Sequence, residues 1–336
     1  MATKAEKFKA VEQLGKAMDK ANEGMVTFQR QGKLVNKPVP SIPTGLPSVD
    51  NYIFGCGGFP RGRIIEVYGP ESAGKTAICL HTVGQCQKAG GVCALVDAEH
   101  ALSPTFANTL GVNMEELIIS QPNCGEEGLE DVEGLVDCGV DLIVVDSVTA
   151  LVPRAEIDGD MGDSHMGLQA RLMSQAMRKL CGKISKAGVC VVWINQIREK
   201  VGLVFGSPEV TTGGRALKFY ASLRVEVRRV AGSKGGVLKE GDVAVGHRMN
   251  VKAVKNKVAF PFREGIVDLY YATGFDKDED LIQYALKIGV VVGSAWLSIV
   301  DGGPQEKFRK EDLPLDKVRA AVLLYHQTIQ KALEEQ

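Results

Sequence analysis

The sequence predicts an α/β fold with a mainly parallel, twisted sheet, because β-branched runs alternate with helical stretches between residues 60 and 270. Several of the early runs are continuously apolar, which is typical of parallel strands covered by helices on both faces. A glycine-rich segment follows the first run and opens a helical stretch. The predicted strands are Ile64–Tyr68, Val92–Val96, Leu142–Val145, Val189–Ile194, Leu223–Val227 and Met249–Val254.

The length of the chain favours one large domain with a smaller appendage. It has 336 residues, which is more than a single hydrophobic core usually organises. Hydrophobic residues make up 45% and charged residues 24% of the chain, as in ordinary globular proteins. No apolar run reaches membrane-spanning length and no secretory signal is visible, so we expect a cytoplasmic protein without a membrane partner. The formal net charge of -1 means that any nucleic-acid site must be local.

The eight cysteines stand singly, without the C-x-x-C spacing of zinc sites. A chain of this length does not depend on disulfides for stability, so buried, reduced thiols are expected. These cysteines are Cys56, Cys79, Cys86, Cys93, Cys124, Cys138, Cys181 and Cys190.

Three regions are predicted along the chain: 1–36, a helix and linker for subunit assembly; 37–271, the α/β core; and 272–336, a small α+β domain. Between Lys4 and Asn22 apolar residues recur at helical spacing, and a proline-containing linker, Gln31–Pro43, follows. The helix is either an arm packed on its own domain or a hook onto a neighbouring subunit, and periodicity does not separate the two. Its apolar stripe is Phe8, Val11, Leu14 and Met18.

The C-terminal region begins with a charged turn, Asp276–Asp280. A helix near Leu281–Ile288 and a strand-like piece at Val290–Trp296 are predicted next. A final amphipathic helix carries its apolar stripe from Val318 to Leu333. Together these elements predict the small α+β domain.

Residues 69–76 read GPESAGKT and match the phosphate-binding motif G-x-x-x-x-G-K-[ST] in its required place between a strand and a helix. The glycines let backbone N–H groups surround phosphate oxygens, Lys75 offsets the β and γ phosphate charge, and Thr76 is suited to hold Mg²⁺. We therefore predict a site for ATP and Mg²⁺. The nucleotide-binding residues are Gly69, Pro70, Glu71, Ser72, Ala73, Gly74, Lys75 and Thr76.

Two carboxylates at strand ends complete the predicted ATPase site. Asp146 ends the apolar run Leu142–Val145 and is predicted to hold the metal together with Thr76. Glu99 follows the strand Val92–Val96, in a position suited to accept a proton from the attacking water. A carboxylate at a strand end is also often a helix cap, and spacing alone leaves both roles open for Glu99.

Two stretches inside the core have the composition of long loops, Glu156–Gly167 and Ile197–Gly214. Loops this long in a compact domain are usually functional. The second places Arg198 near the apolar Val201, a combination suited to the phosphates and bases of single-stranded nucleic acid, although a solvated surface loop is the plain alternative. Backbone amides near its end, before a helix, are also suited to phosphate.

Ordered motifs continue beyond the phosphate-binding segment. The chain reads DAEHAL at 97–102, VDSV at 145–148 and GDSHMG at 162–167. It then reads SQAMRKL at 174–180, NQIR at 195–198, TTGGRALKFY at 211–220 and KNK at 255–257. In this order, over about residues 5–271, the motifs resemble the RecA recombinase family of bacterial type, cellular or phage-encoded, with a weaker match beyond.

The resemblance implies a RecA-like ATPase core and a DNA-dependent ATPase. It also implies helical filaments on single-stranded DNA, with homologous pairing and strand exchange with double-stranded DNA in recombination and repair. It suggests a single-strand-binding protein and a repressor as protein partners. Alternative functions are a ring-forming helicase or motor with the same core, and an ATP-gated filament scaffold. GDSHMG, NQIR and TTGGRALKFY favour the recombinase, whereas the N-terminal helix fits a filament and a ring equally.

The same resemblance assigns roles to residues. Glu99 would activate water, Gln196 would sense the γ phosphate, and Lys255 and Lys257 would reach the ATP of the adjacent subunit. These four and Lys75 are the predicted catalytic set. The implied DNA contacts are Met166, Arg171, Arg198, Val201, Gly213 and Gly214.

Near the adenine, this chain departs from the family pattern. The family usually carries an acidic residue and a tyrosine where this chain has Ser103 and Phe106. The Phe106 ring is still suited to stack on the base, but one carboxylate contact to the adenine amino group is lost. Tyr271 is predicted as a further nucleotide-binding residue.

Overall fold

The structure is a computed structural model, and it describes residues 39–160, 165, 167–199, 209–231, 235–300 and 306–334, with Thr3, Glu6, Lys9, Ala10 and Gln13. The chain divides into two units. One is Val39–Tyr325, and the other consists of Met1–Pro38 and His326–Gln336. Every predicted site residue belongs to Val39–Tyr325.

The main feature of the larger unit is a sheet that, within the described residues, has eleven strands. A two-stranded sheet precedes it in the chain and another follows it. In chain order the strands are β1 (Ser41–Ile42), β2 (Phe59–Pro60), β3 (Ile64–Gly69), β4 (Cys93–Asp97), β5 (Ile118–Ser120), β6 (Leu142–Asp146), β7 (Cys190–Glu199), β8 (Glu209–Thr211), β9 (Leu223–Arg229), β10 (Val237–Glu240), β11 (Val243–Asn256), β12 (Glu264–Tyr270), β13 (Gly274–Phe275), β14 (Val291–Gly293) and β15 (Leu297–Ile299).

The helices alternate with the strands in the first half of the chain. Short helical turns also occur at Ser48–Ile53, Val148–Ala150 and Lys310–Asp312. The described α-helices are α1 (Lys75–Lys88), α2 (Pro104–Thr109), α3 (Gly125–Cys138), α4 (Arg154–Ile157), α5 (Leu168–Ala187), α6 (Ala216–Tyr220), α7 (Lys277–Lys287) and α8 (Leu315–Glu334).

The middle of the large sheet is parallel, in the order β9-β3-β7-β6-β4-β5. Beyond β9 the strands β11, β12 and β13 continue it in antiparallel pairing, while β10 pairs with β11 and β8 with β7. The predicted α/β core with a mainly parallel sheet is therefore confirmed. The antiparallel flank adds β10, β12 and β13, which the sequence pattern did not predict.

Alternate residues of the parallel strands point into different hydrophobic clusters. In β6, Ile143 and Val145 pack in a cluster with α3 and α5, whereas Val144 packs in a cluster with α1. All three side chains are buried. Full burial of such a side chain is worth about 1.5–3 kcal/mol, so helices hold the sheet on both faces. Because these strands are parallel, their carboxyl ends all lie at the same edge of the sheet. The apolar runs stop at that edge.

The two predicted loops contain regular structure at their ends. In the second, β7 extends to Glu199 and pairs with β8, so that Ile197 lies opposite Thr211. The β-branched residues at both positions favour this pairing over an open loop. The first predicted loop starts within α4 and stops directly before α5. Residues 161–164, 166 and 200–208 lie outside the described part of the chain.

The segment after β13 has a hydrophobic cluster of its own, which includes Leu281, Val291 and Val318. α7 starts at Lys277, earlier than predicted, because the Asp276 side chain accepts a hydrogen bond of 2.9 Å from Glu279 N and caps the helix. The predicted strand-like piece is a hairpin, β14–β15, that turns after Gly293.

Most of the predicted N-terminal helix lies outside the described residues. The described residues in this region include Glu6, Lys9, Ala10 and Gln13, which are helical. All eight cysteines are free thiols, as expected. Five of them are buried, as expected, whereas Cys56 and Cys181 are half-buried and Cys138, the last residue of α3, is exposed. None of the described helices is long and apolar enough to cross a membrane.

Candidate functional site

The phosphate-binding segment connects β3 to α1 at the carboxyl edge of the parallel strands. Gly69 is the last residue of β3, and Lys75 is the first residue of α1. Gly74 has a φ of 99°, and a Cβ there would lie 2.5 Å from Met249 Sδ on β11. Both the left-handed backbone and the close packing therefore require glycine at this position. The open N–H groups of the first turn of α1 then face the site, an arrangement that suits phosphate.

Lys75 is held by the backbone of the same segment. Its Nζ donates hydrogen bonds to Gly69 O at 3.1 Å and to Pro70 O at 2.7 Å. Burial lowers the pKa of Lys75, while the charges of Asp146 and Glu99 oppose that shift. The ammonium group is thus partly desolvated, and its hydrogen-bond partners are neutral carbonyls. A charged phosphate would bind it more strongly than these carbonyls do.

Thr76 and Asp146 lie side by side at this edge. Thr76 Oγ1 donates a hydrogen bond of 2.7 Å to Asp146 Oδ2. Burial raises the pKa of Asp146 to about 6, and the bond from Thr76 opposes that shift. Mg²⁺ takes oxygen ligands and is commonly held by one or two protein groups plus substrate phosphates, which this pair fits. In the described ranges, no three His, Cys, Asp or Glu side chains cluster as metal ligands.

Glu99 is fixed by two side chains from neighbouring strands. The Ser147 hydroxyl donates a hydrogen bond to Glu99 Oε1, and Gln196 Nε2 donates one of 3.1 Å to the same oxygen. Gln196 lies opposite Gly69 in the β3–β7 register, so both carboxylates, Gln196 and the phosphate-binding segment share one edge. Glu99 does not cap the next helix, α2, because Ser103 is the N-cap residue of that helix.

The predicted base-binding residues separate into two groups. Phe106 and Tyr271 line a cavity of ≈ 250 Å³ together with residues 72–77. Ser103 is not among the lining residues, and its Oγ accepts a hydrogen bond of 3.4 Å from Phe106 N. Ser103 therefore supports the helix that carries Phe106. A larger cavity of ≈ 570 Å³, between β11, β12 and α7, holds none of the predicted site residues.

Lys255 and Lys257 lie far from the phosphate-binding segment of their own chain. Arg229, at the end of β9, donates a hydrogen bond of 2.7 Å from its Nε to Ser72 O in that segment. Lys255 pairs instead with Arg224, near the beginning of β9. At ~3.3 Å per residue, the five residues from Arg224 to Arg229 span roughly 16 Å of strand. The fold thus separates the two lysines from their own Lys75.

The two lysines contact the last turn of α6. Lys255 Nζ donates to Lys218 O at 2.7 Å and to Phe219 O at 3.0 Å, and Lys257 Nζ donates to Phe219 O at 3.4 Å. Burial first, and then the nearby charges of Lys257 and Arg224, lower the pKa of Lys255 to about 8. A carbonyl-capped ammonium of depressed pKa gains from any phosphate that approaches it.

Four of the six predicted DNA contacts fall on described residues. Arg198 is exposed on the β7–β8 extension, and Arg171 is exposed in the first turn of α5. Gly213 and Gly214 connect β8 to α6, and a Cβ on Gly214 would lie 2.8 Å from Ala170 Cβ. The glycines therefore lie against the start of α5. Met166 and Val201 lie outside the described residues.

Two residues of the site were missed from the sequence. Ser147, which holds Glu99, follows Asp146 directly, and a polar residue after an apolar strand was an available signal. His247 is buried in the same cavity as Tyr271, with ring centroids 5.7 Å apart, and burial lowers its pKa. His247 lies on β11 between Val237 of β10 and Leu269 of β12, so no local pattern pointed to it.

Known proteins share these motifs over most of the chain. A family model described as the RecA N-terminal domain matches residues 9–276. Protein RecA of Enterococcus hirae is 54% identical over 279 residues, which cover 82% of this chain and 79% of that one. Protein RecA 2 of Myxococcus xanthus is 51% identical over 301 residues, or 89% and 82% of the two chains. Protein RecA of Clostridioides difficile is 50% identical over 334 residues, or 95% and 94%.

The matched region includes every predicted site residue, from Gly69 to Tyr271. It also includes the strands that bring the phosphate-binding segment, Asp146, Glu99 and Gln196 to one edge of the sheet. The chain therefore belongs to the RecA family of recombinases, and its function lies in DNA recombination and repair.

Proposed function

We propose that the chain is a DNA-dependent ATPase that binds ATP with Mg²⁺, assembles into a helical filament on single-stranded DNA and exchanges its strand with homologous double-stranded DNA. The observation that carries this proposal is the hydrogen-bonded set at the carboxyl edge of the sheet. It combines the buried Lys75, the Thr76–Asp146 pair and the Glu99–Gln196 pair. Phosphoryl transfer requires this combination of a cation, metal-binding oxygens and a group that orients water.

In the proposed cycle, Lys75 exchanges its carbonyl partners for the β and γ phosphates. The N–H groups at the start of α1 bind phosphate oxygens at the same time. Phe106 and Tyr271, which line the adjoining cavity, would contact the base. Bound Mg²⁺, held by Thr76 and Asp146, would neutralise charge that develops on the phosphates.

Glu99 is proposed to accept a proton from the attacking water. Its Oε1 already receives hydrogen bonds from Ser147 and Gln196, which leaves Oε2 available for the water proton. A well-positioned general base contributes about 10²–10⁴-fold to a rate. Because Gln196 binds this carboxylate and begins the segment that leads toward Arg198, it is suited to report the nucleotide state to DNA-binding residues.

The second part of the proposal is that ATP lies between subunits. Lys255 pairs with Arg224, which at ~3.3 Å per residue lies roughly 16 Å along β9 from Arg229, the residue that contacts Ser72 of the phosphate-binding segment. In a head-to-tail assembly this face of one chain meets a different face of the next. The two lysines would then serve the phosphates of a neighbour.

DNA would bind at the face formed by Arg198, Arg171 and the Gly213–Gly214 backbone. Arg198 and Arg171 are exposed. Contacts from arginines and backbone amides to phosphates carry no sequence information, which suits a protein that accepts any sequence. The binding energy would then come largely from the release of counterions from the DNA.

The test of this proposal is Lys75→Ala, with Lys88→Ala as the matched control. Lys88 is an exposed lysine in the last turn of the same helix, α1. We expect Lys75→Ala to abolish DNA-dependent phosphate release while circular dichroism and the unfolding temperature stay near those of the unchanged chain. Lys88→Ala should retain full activity. DNA-stimulated hydrolysis by Lys75→Ala would overturn the proposed site.

A further inference from the structure

The residue before Gln196 has a side chain whose hydrogen-bonding capacity is fully used. Asn195 is completely buried, and its Oδ1 accepts hydrogen bonds from Gln196 N at 2.9 Å and from Thr212 Oγ1 at 2.5 Å. Its Nδ2 donates to Glu66 Oε1 at 2.9 Å and to Thr212 O at 3.1 Å. One amide thus connects the two ends of segment 196–212, which begins in β7 and ends after β8.

The other side of this amide is anchored in the sheet. Glu66, on β3, is completely buried and accepts a second hydrogen bond, of 2.5 Å, from Arg224 Nε on β9. The Arg224 guanidinium lies over the Tyr68 ring at 4.6 Å from its centroid. Because both members of this ion pair are buried and packed, Glu66 offers Asn195 a fixed point.

The far side of the connection leads directly to the proposed DNA-binding backbone. Thr212 precedes Gly213, whose φ of 76° requires glycine and whose Cβ would lie 2.8 Å from Val148 Cγ1. The Thr212 hydroxyl is also within 2.8 Å of the Thr149 hydroxyl. Since Thr212 donates to Asn195, Thr149 is the donor in this second bond. Thr149→Val therefore removes the second bond alone, whereas Thr212→Val removes both.

We propose that Asn195 is a positioning residue that couples the nucleotide site to DNA affinity, by joining Gln196 to Thr212 through one amide that is anchored on Glu66. A displacement of Gln196 by the γ phosphate then moves Thr212, and with it the Gly213–Gly214 backbone. Asn195 contacts neither nucleotide nor DNA in this scheme. The inference rests on the proposed function, in which Gln196 responds to ATP and the two glycines bind DNA.

The experiment measures the dissociation constant for a fluorescent oligo-dT by anisotropy, with a slowly hydrolysed ATP analogue and with ADP. The ratio of the two constants is the coupling between the sites. Allosteric coupling typically amounts to about 5–150-fold, and a ratio in that range is expected for the unchanged chain. Thr212→Val keeps the shape of the side chain but loses the bond from its hydroxyl to Asn195 Oδ1, while the bond from Asn195 Nδ2 to Thr212 O remains. It should lower the ratio at least several-fold. Asn195→Ala, which removes all four hydrogen bonds of the side chain, should bring the ratio close to one.

Thr149→Val is the matched control, because it removes a neighbouring hydroxyl and leaves the Asn195–Thr212 bonds intact. It should keep the ratio of the unchanged chain. A purely structural role for Asn195 would weaken DNA binding equally with both nucleotides and leave the ratio unchanged, which would overturn the inference. Thr212→Val removes only one hydroxyl, so it remains a test if Asn195→Ala does not fold.

Failure of the proposed function has a different signature. If the unchanged chain bound DNA with the same affinity in both nucleotide states, the two sites would not be coupled. That result would contradict both the proposed function and this inference. If its ratio is large and the ratios of Thr212→Val and Asn195→Ala are equally large, only the inference falls.

Discussion

Lys255 carries its charge in surroundings that disfavour an ammonium ion. Burial, Lys257 and Arg224 lower its pKa to about 8, and Glu66 is a carboxylate that opposes the shift. Below that pH the side chain is charged and able to bind a neighbour's phosphate. Above it the neutral amine must first take up a proton, so ATP binding becomes weaker as pH rises.

We therefore expect the KM for ATP in DNA-dependent hydrolysis to increase above about pH 8, by up to about tenfold per pH unit, while kcat changes less. Steady-state phosphate release across a pH series measures both constants. Lys255→Arg is the control, since an arginine stays charged throughout this range. An equal increase in KM for Lys255→Arg would assign the titration to another group, such as Lys75.

At the residue scale, the sequence predicted those site members that local motifs define. Lys75 and Thr76 belong to a contiguous segment, and Asp146 and Glu99 follow apolar runs whose parallel pairing brings their ends together. His247 and Thr212 enter through contacts between residues distant in the chain. Such contacts follow from the register of β11 and β7, which single-sequence patterns do not determine.

Among the elements, the β7–β8 extension departs most clearly from the sequence pattern. Its glycines, proline and charges indicated one long loop, yet pairing of Ile197 with Thr211 continues the sheet beyond the edge where the parallel strands end. The continuous apolar strands were predicted well because both of their faces are buried. A short antiparallel pair of mostly polar residues has no such signal, since its stability depends on the partner strand.

The extension presents Arg198 on a described and exposed surface, opposite Val210. DNA affinity falls with salt concentration, and the slope of the log–log plot is roughly 0.7 per neutralised phosphate on single strands. If Arg198 neutralises one phosphate, this slope should be smaller by roughly 0.7 in Arg198→Ala. Arg178→Ala, which removes an exposed arginine from α5, should leave the slope unchanged. Titrations of oligo-dT at several salt concentrations measure both slopes. Parallel lines for Arg198→Ala and the unchanged chain would place this phosphate contact elsewhere.

On the scale of the whole molecule, the sheet separates two halves of the proposed ATP site. The phosphate-binding segment lies where β3 ends, and the Lys255–Lys257 segment lies beside the beginning of β9. A single chain therefore carries the phosphate-binding half and the lysine half of the proposed site at two separate places. Head-to-tail contact between chains brings unlike halves together, and such contacts generate a helix unless the rotation closes a ring.

A shared site makes a quantitative prediction for mixed assemblies of two inactive variants. Chains with Lys255→Ala and Lys257→Ala keep an intact phosphate-binding segment, whereas Lys75→Ala chains keep both lysines. Each variant alone should be inactive, because every interface lacks one half. In a random mixture at equal amounts, about one quarter of the interfaces combine two intact halves, so activity should approach a quarter of that of the unchanged chain.

The dependence on composition is as informative as the rescue itself. The fraction of intact interfaces is the product of the two chain fractions, so DNA-dependent phosphate release should rise to a maximum at equal amounts and fall on both sides. A mixture of Lys75→Ala chains with chains that carry all three substitutions contains no intact phosphate-binding segment and should stay at background. Co-assembly on DNA is verified with differently labelled chains. Background release at every ratio of the two co-assembled variants would mean that Lys255 and Lys257 do not complete a neighbour's site.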